Sequence, residues 1–420
     1  MSNDEKNNKV KEAIKTTRQR HSNMDCRVFE IKVVGSKLNN RQKEQINQYF
    51  REAKWRRNDI IADFDKADRN AKVAVVKVGE TYESRELSIL GSQIRQDIYD
   101  MVKAEIRGLH TKKKQGNKVG KLQFKSVCNS IPLRQYNTTY RVDFECNRIK
   151  IQNIYKPFYV RGLKQIPQDA EITNAKFIRK PSGLYFHITC YIPKETKMKT
   201  NKQVGIDFGI EHNLTLSDGT TFDICIKESK GTKLASKRLN QSLKRNKDKK
   251  SNNHYKRKLQ LKRAYEKDKN KRNDKANKVV NYLLTNYDFI AIQDEMIHNW
   301  HSGLFGKQVQ HSAMGSIKAK LKTNFKVHVV ERSFPSTQVC PSCGCLTKHS
   351  LDKRIYQCEH CGYTHHSRDI KSAQSILDGA LKYVSMEHRA NSLVELTTSG
   401  EDSSTIYAKY QAMKQEAQVL

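Results

Sequence analysis

Two pairs of closely spaced cysteines constrain the fold of this chain more than any other feature of its sequence. Cys340 and Cys343 form the first pair, Cys358 and Cys361 form the second, and fourteen residues separate the pairs. Pairs with this spacing bring four thiolates tetrahedrally around Zn²⁺, and the glycine after each pair lets the turn close behind its second sulfur. The pattern predicts a structural zinc site that folds residues 333–365 into a zinc ribbon.

Other ligand sets stay open at this stage. A shift of one turn would let Cys345 take the place of Cys343. Nearby histidines are further candidate ligands, although surface or phosphate-contacting roles are more ordinary for them: His349, His360, His365 and His366. The remaining five of the ten cysteines are scattered. This usage is typical of metal-binding cysteines in a reducing compartment and not of a disulfide framework.

Acidic residues end two apolar segments and begin a helical one. The segment VGIDFG at 204–209 alternates apolar and small residues, so we expect Asp207 on a central strand of a sheet. The apolar run FIAIQDE ends in Asp294 and Glu295, which point to opposite faces of a strand, so only one of them can face Asp207. Asp369 follows the cysteine pairs and begins the helical pattern DIKSAQSIL. A carboxylate at the end of a core strand is costly unless it is paired or binds a metal ion.

The N-terminal half mixes strand and helix patterns. Residues 26–34 alternate as a half-buried strand does, and residues 118–193 contain short alternating runs separated by Asn, Pro and Gly. These runs predict a β-barrel or sandwich that the first strand completes. Between them, apolar residues recur at helical steps: Ile46, Phe50, Ala53, Ile60 and Phe64, then Leu90, Ile94, Ile98, Val102 and Ile106. The helices therefore form an insertion into a β domain.

The charge of the chain predicts a nucleic-acid partner. The formal net charge is +35, and between Lys227 and Lys278 there are 21 Lys plus Arg against 5 Asp plus Glu. Lys and Arg displace counterions from phosphates, so we expect long basic helices along a nucleic-acid backbone, the alternative being a disordered loop. The candidate backbone contacts are Lys244, Arg245, Lys249 and Lys250. A generally basic surface, as on a ribosome-associated protein, is the less specific interpretation of the same charge.

The sequence contains no sign of a membrane partner. It has no apolar run of about 18 residues, which a membrane-spanning helix needs, and no apolar stretch among its first 25 residues. We therefore expect a cytoplasmic, prokaryotic protein. The last 40 residues carry no readable chemistry and are expected to be partly disordered.

Taken in order, four motifs resemble one known family. VGIDFG, IAIQDE, the two cysteine pairs and HSRDIKSAQSIL are similar to the split RuvC nuclease of the transposon-associated TnpB proteins and of the miniature type V CRISPR effectors. SIPLRQYN and FYVRGLKQIP resemble the β domain of that family, so the resemblance covers nearly the whole chain. It implies a multidomain α+β fold with these parts: a wedge-like β-barrel (1–36 and 118–200), a helical recognition lobe (37–117), an RNase H-like RuvC α/β domain (201–332 and 366–420, with basic helices at 227–278), and the zinc ribbon (333–365) as a target nucleic-acid-binding insert.

The resemblance also implies site residues and partners. The three Mg²⁺-binding acids of the family fall on Asp207, Glu295 and Asp369, around two Mg²⁺ ions. The family's middle motif is an apolar run followed by Glu, Asp and Leu, whereas this chain reads QDEMI; Glu295 is chosen because Ile297 then takes the Leu place, and Asp294 stays open. The implied partners are a guide RNA and double-stranded target DNA, with the protein a monomer or a homodimer on one guide RNA.

The implied activity is that of an RNA-guided DNA endonuclease with one RuvC site. Two other interpretations stay open: an RNA-guided DNA-binding protein whose nuclease is silent, and a zinc-ribbon transposition accessory that binds DNA without a guide. A bound small RNA, sensitive to ribonuclease and not to deoxyribonuclease, would exclude the accessory.

Overall fold

The structure is a computed structural model that describes residues 3–194, 200–209, 214–245, 251–303, 305–350 and 353–397. The chain divides into two compact units, Met1–Thr196 and Lys197–Leu420. Each unit has its own sheet and its own hydrophobic core.

Antiparallel strands dominate the first unit. They are β1 (Met24–Val33), β2 (Val73–Val78), β3 (Thr81–Glu86), β4 (Ser130–Leu133), β5 (Tyr140–Asp143), β6 (Arg148–Ile151), β7 (Phe158–Arg161), β8 (Glu171–Lys180) and β9 (Gly183–Pro193). Seven of them form one sheet in the order β4-β8-β9-β1-β7-β6-β5. Its two edges approach each other, because Tyr136 after β4 bridges to Tyr140 in β5. The sheet is thus a nearly closed barrel, and the first strand completes it as the sequence predicts.

Helices surround and extend this barrel: α1 (Asn3–Ser22), α2 (Asn40–Ala62) and α3 (Ser92–Lys114). The helices α2 and α3 lie between β1 and β4 in the chain, as the apolar stripes predict. Phe50 of α2 stacks on Phe177 of β8 with ring centroids 5.3 Å apart, and Phe177 stacks on Phe186 of β9 at 4.9 Å. The inserted helices therefore share one continuous core with the barrel.

The insertion contains a hairpin that the helical stripes do not predict. Strands β2 and β3 pair from Val73↔Glu86 to Val78↔Thr81, and Gly79 turns between them with φ +63°. Extended runs around a short turn with glycine are typical of a hairpin, so VAVVKVGETYESRE carries a signal for it. Helix α2 also ends earlier than its predicted stripe, since Asp63 is extended and Phe64 lies beyond the helix.

The second unit is built on a mixed sheet. Its strands are β10 (Gln203–Asp207), β11 (Leu214–Leu216), β12 (Thr221–Phe222), β13 (Phe289–Gln293) and β14 (Val327–Val330), followed by a short separate pair, β15 (Tyr356–Gln357) and β16 (Thr364–His365). The order is β12-β11-β10-β13-β14, with β10, β13 and β14 parallel and β11 antiparallel to β10. The central position of β10 agrees with the prediction for Asp207.

Helices cover both faces of this sheet: α5 (Asn252–Asn286), α6 (Gly306–His311), α7 (Met314–Leu321) and α8 (Arg368–Thr397). Helix α4 (Lys230–Arg245) packs on α5. Large apolar residues of β10 and β13, such as Ile206 and Ile292, share a core with α5 and α7. The opposite face carries Ala291, which packs with Ile376 and Ala380 of α8. The small residues on this face let α8 lie close to the sheet.

The basic run forms the two helices α4 and α5. The side chain of Asp268 in α5 is buried and accepts hydrogen bonds from the Thr232 hydroxyl at 2.6 Å and the Ser229 amide at 3.2 Å, which holds the start of α4 to α5. Helix α8 extends to Thr397, within the segment that the sequence predicts to be partly disordered, and residues 398–420 lie outside the described part. Among the helices that the structure describes, none has the length and hydropathy of a membrane span.

Candidate functional site

The parallel strands β10 and β13 bring two acidic segments to one edge of the sheet. Ile206 pairs with Ile292, so Asp207 at the end of β10 lies level with Gln293 at the end of β13. Glu295 follows two residues later. The Gln293 side chain donates to the backbone carbonyls of Glu331, Arg332 and Phe334, the last at 2.6 Å, and thereby holds the segment that leaves β14. Sequence reasoning missed this role of Gln293, which the apolar pattern of the strand gave no reason to expect.

Helix α8 brings the third acid to the same edge. Gly205 makes this possible, because a Cβ at this position would lie 1.9 Å from the backbone oxygen of Ala373. The first turns of α8 then lie over β10. Asp369 belongs to the first of these turns, and its charge acts on Asp207. The three predicted acids therefore come from three separate segments, and Asp207 interacts electrostatically with both Asp369 and Glu295.

Burial and like charge dominate the electrostatics of this carboxylate cluster, by which we mean Asp207, Glu295 and Asp369. Burial raises the pKa of Asp207 to about 7, and the charge of Asp369 contributes to this rise. Burial, and after it the charge of Asp207, raise the pKa of Glu295 to about 8. The Oε2 atom of Glu295 is buried and has no hydrogen-bond partner. Such a group is costly unless a cation or a proton compensates it.

Asp294 has the opposite surroundings. Its carboxylate pairs with Lys322, with Lys318 at 3.6 Å and with Arg332 at 3.7 Å. The hydrogen bond from Lys322 lowers the pKa of Asp294 below its ordinary value, against the effect of burial. Of the two candidates at QDE, Glu295 is thus the one on which the charge of Asp207 acts, while Asp294 is paired with three cations.

Cations flank the carboxylate cluster. Lys318 of α7 is buried, and its Nζ donates to the backbone oxygen of Glu295. Arg368 opposes the rise in the pKa of Asp207, and Arg354 lies 3.8 Å from the carboxylate of Asp369, whose side chain is 18% exposed. Sequence reasoning missed Lys318 and Arg368. Arg368 lies directly before Asp369 in the sequence, and this position is a signal for it. No local sequence pattern indicates Lys318.

The four cysteines of the predicted zinc site converge in the ribbon. The sulfur of Cys340 lies 3.6 Å from that of Cys361, the sulfur of Cys343 lies 3.7 Å from that of Cys358, and all four lie within 4.8 Å of one another. Zn–S bonds of about 2.3 Å in a tetrahedron place sulfurs about 3.8 Å apart, so this cluster can bind zinc. The carboxylate cluster does not form so compact a group of ligand atoms among the described residues.

Two glycine turns build this cysteine cluster. Gly344 and Gly362 have φ of +75° and +73°, and their amides donate to the carbonyls of Cys340 and Cys358. The alternative ligand Cys345 is not among the converging sulfurs, and its backbone oxygen accepts from the Cys340 amide. The candidate histidines also lie outside the cluster: His349 accepts from the Gln357 amide, His365 bonds to Ser367, and His360 and His366 are exposed.

The predicted backbone contacts are only partly described. Lys244 lies near the end of α4 and is exposed. The side chain of Arg245 lies outside the described part of the structure, as do Lys249 and Lys250. Exposed lysines continue along α5, for example Lys258 and Lys262.

Two segments of the chain match known families. Residues 187–299 match the model described as OrfB_IS605, probable transposase, and residues 314–376 match the Cas12f1-like TNB domain. The first segment contains Asp207 and Glu295, and the second contains the four cysteines and Asp369. These matches confirm the resemblance to the TnpB proteins and the miniature type V effectors.

The name of a curated relative agrees with this resemblance. A protein of Streptomyces pristinaespiralis with the name "Putative RNA-guided DNA endonuclease" is 26% identical to this chain over 235 residues. The alignment covers 54% of this chain and 57% of the relative. The chain thus spans little more than half the length of the curated relative that it matches.

Proposed function

We propose that this protein is an RNA-guided DNA endonuclease with one nuclease site at the carboxylate cluster. The observation that carries the proposal is the convergence of three acids from β10, the end of β13 and the start of α8 at one edge of the sheet. The name of the Streptomyces relative supports the same activity.

The sheet supports an RNase H-like RuvC domain. Such a domain has an acid on its central strand and a second acid after the neighbouring parallel strand, and both features are present here. In the RuvC arrangement the third acid lies near the start of the last helix, with the ribbon inserted just before it. The position of Asp369, eight residues after Cys361, fits this arrangement.

The donor set fits Mg²⁺. Carboxylate oxygens are hard ligands that Mg²⁺ prefers. The Oε2 atom of Glu295 is buried without a hydrogen-bond partner, so it is available as a metal ligand. Asp207, Glu295 and Asp369 would together hold the two ions. When bound, the ions would supply an activated water and stabilise the leaving 3′ oxygen of a phosphodiester.

The protein's own residues would orient these ligands and the substrate. Lys318 fixes the backbone at Glu295. Arg354 and Arg368 lie beside the acids, where a phosphate group of the DNA would approach. Cations at this place would offset the repulsion between the phosphodiester and the carboxylate cluster.

Base pairing with a guide RNA would supply the sequence specificity, and the basic surface would hold the heteroduplex through its backbone. We propose the domain boundaries that the family resemblance implies, with the barrel and its helical insert reading a short flanking DNA motif. The protein would bind its guide RNA and its DNA target in the prokaryotic cytoplasm, either as a monomer or as a homodimer on one guide RNA.

The proposal is tested by guide-dependent cleavage. Purified protein is incubated with Mg²⁺, a guide RNA and a matched double-stranded target, beside the same reaction with an unrelated guide. Cleavage that requires the matched guide is expected. Guide-dependent binding without cleavage across several flanking motifs would favour the silent nuclease, and DNA binding that ignores the guide would favour the transposition accessory.

A further inference from the structure

Lys371 is a buried lysine in the first turn of α8 that contacts the ribbon and not the carboxylate cluster. Its relative exposure is 0%. Its Nζ donates to the backbone oxygen of Ser336 at 3.2 Å and lies over the ring of Tyr356, 4.0 Å from the ring centroid. Ser336 precedes the cysteine cluster and Tyr356 lies inside the ribbon, so one side chain joins α8 to two parts of the ribbon segment.

The contacts around Lys371 are themselves held in place. The Ser336 hydroxyl donates to the side chain of Gln293 at the end of β13. The Tyr356 hydroxyl donates to the backbone oxygen of Gln338 at 3.1 Å, and its ring is fully buried. The ammonium group of Lys371 therefore lies in a rigid polar pocket between the sheet and the cysteine cluster.

A buried ammonium group is costly unless an anion compensates its charge. Burial lowers the pKa of Lys371, and the charges of Cys340 and Cys358 oppose this effect. Both belong to the cysteine cluster, and they pack with Tyr356 in one small core. A zinc ion with four thiolates carries a net negative charge, because four thiolates outweigh the charge of the ion. Such a centre would supply the negative charge that compensates the buried ammonium group of Lys371.

We propose that Lys371 is a positioning residue that couples the zinc centre to the carboxylate cluster. Its ammonium group neutralises the anionic tetrathiolate centre and thereby fixes the first turn of α8, which begins at Arg368 and contains Asp369. Without zinc, the charge of Lys371 loses its compensation and the turn loosens. The inference rests on the zinc site and not on nuclease activity, so its tests use zinc affinity and hydrogen exchange.

The first test is Lys371→Met, which keeps an unbranched side chain of similar length and removes the charge. Zinc affinity, measured by competition with a chromogenic chelator, is expected to fall about tenfold or more, the usual effect of changing a group that supports metal ligands. The control is Lys348→Met, because Lys348 lies in the same ribbon but is exposed. Its zinc affinity is expected to stay at the wild-type value. Wild-type affinity in Lys371→Met would overturn the proposal.

The second test needs no substitution, so it also serves if Lys371→Met does not fold. Zinc is removed from the wild-type protein with a chelator, and hydrogen exchange is followed by mass spectrometry. The amides of residues 368–376 are expected to exchange faster, while those of residues 276–283 in α5 keep their rates. Unchanged exchange at the start of α8 after complete removal of zinc would contradict the coupling.

Discussion

At the scale of single residues, two neighbouring acids differ in what surrounds them. Glu295 is half-buried near Asp207 and its pKa is raised, whereas Asp294 is held by Lys322 and its pKa is lowered. The sequence leaves this choice open, because it shows the alternation of side chains but not where the strand ends. The structure separates the two roles, and a matched pair of substitutions tests that separation.

Glu295→Ala is expected to lower the rate of DNA cleavage about a hundredfold or more, since the loss of a metal ligand removes several kcal/mol of transition-state stabilisation. Asp294→Ala is the control and is expected to keep cleavage, because its carboxylate contacts Lys322, Lys318 and Arg332 and not the other acids. Single-turnover cleavage of a matched target measures both. An inactive Asp294→Ala beside a fully active Glu295→Ala would show that the assignment is wrong by one residue.

Two cysteine substitutions test the zinc ligands. Cys358→Ser removes one of four converging sulfurs, so the protein is expected to lose most of its bound zinc and the ribbon to unfold locally. Activity should fall as well, since Asp369 follows the ribbon. Cys345→Ser is the matched control and should keep its zinc. Metal analysis of protein purified without chelator gives the answer, and wild-type protein free of zinc would refute the assignment.

Single residues also show what sequence reasoning finds and what it misses. Asp207, Asp369 and the four cysteines stand out because their neighbours are strand, helix and turn signals at informative spacings. Lys318 and Lys371 do not, because on the sequence they are ordinary lysines of helical segments. Their burial follows from packing between segments far apart in the chain, which no local pattern records.

At the scale of elements, the contact between α8 and β10 positions the site. The backbone oxygen of Ala373 occupies the space that a side chain at Gly205 would need. The pattern VGIDFG predicts a strand with small residues, but it does not reveal which helix comes close. The hairpin of β2 and β3 was missed for a different reason: its alternation is weak, and most of its residues are exposed on both faces.

Gly205→Ala tests this contact. The added methyl group is expected to destabilise the protein by about 1–3 kcal/mol, the usual cost of overpacking, and to reduce cleavage by moving Asp369. Gly315→Ala in α7 is the control, because no atom lies within 4 Å of the added Cβ. That change should be neutral or stabilise by about 0.5–1 kcal/mol, as alanine does in a helix. Urea unfolding measures both, and a Gly205→Ala protein as stable as Gly315→Ala would contradict the close approach.

At the scale of the whole molecule, the net charge of +35 dominates. Composition alone predicts a polyanionic partner, and local patterns predict the barrel, the inserted helices and the ribbon. They do not predict that the insert shares its core with the barrel, because the stacking of Phe50 on Phe177 joins residues far apart in sequence. Fold class is thus more predictable than the packing of one element on another.

Neutralising Lys244, Arg245, Lys249 and Lys250 with glutamine tests the basic surface. For each phosphate that the protein no longer neutralises, the slope of log affinity against log salt is expected to fall by about 0.9 on duplex and about 0.7 on single strands. Binding of guide RNA or heteroduplex should weaken with little dependence on sequence. Lys278→Gln is the control, because Asp274 already pairs with Lys278 at 2.8 Å. An unchanged slope in the fourfold variant would mean that these residues form only a solvated surface.

The central claim is that one site, built around Asp207, cuts the DNA that the guide selects. Asp207→Ala tests it most directly, with cleavage and binding of a matched target measured in the same Mg²⁺ buffer. The substitution should leave the fold and binding intact, because burial raises the pKa of this carboxyl group and its charge therefore does not stabilise the fold. We expect guide-dependent binding at the wild-type level with no cleavage. Cleavage by Asp207→Ala at the wild-type rate would contradict the central claim.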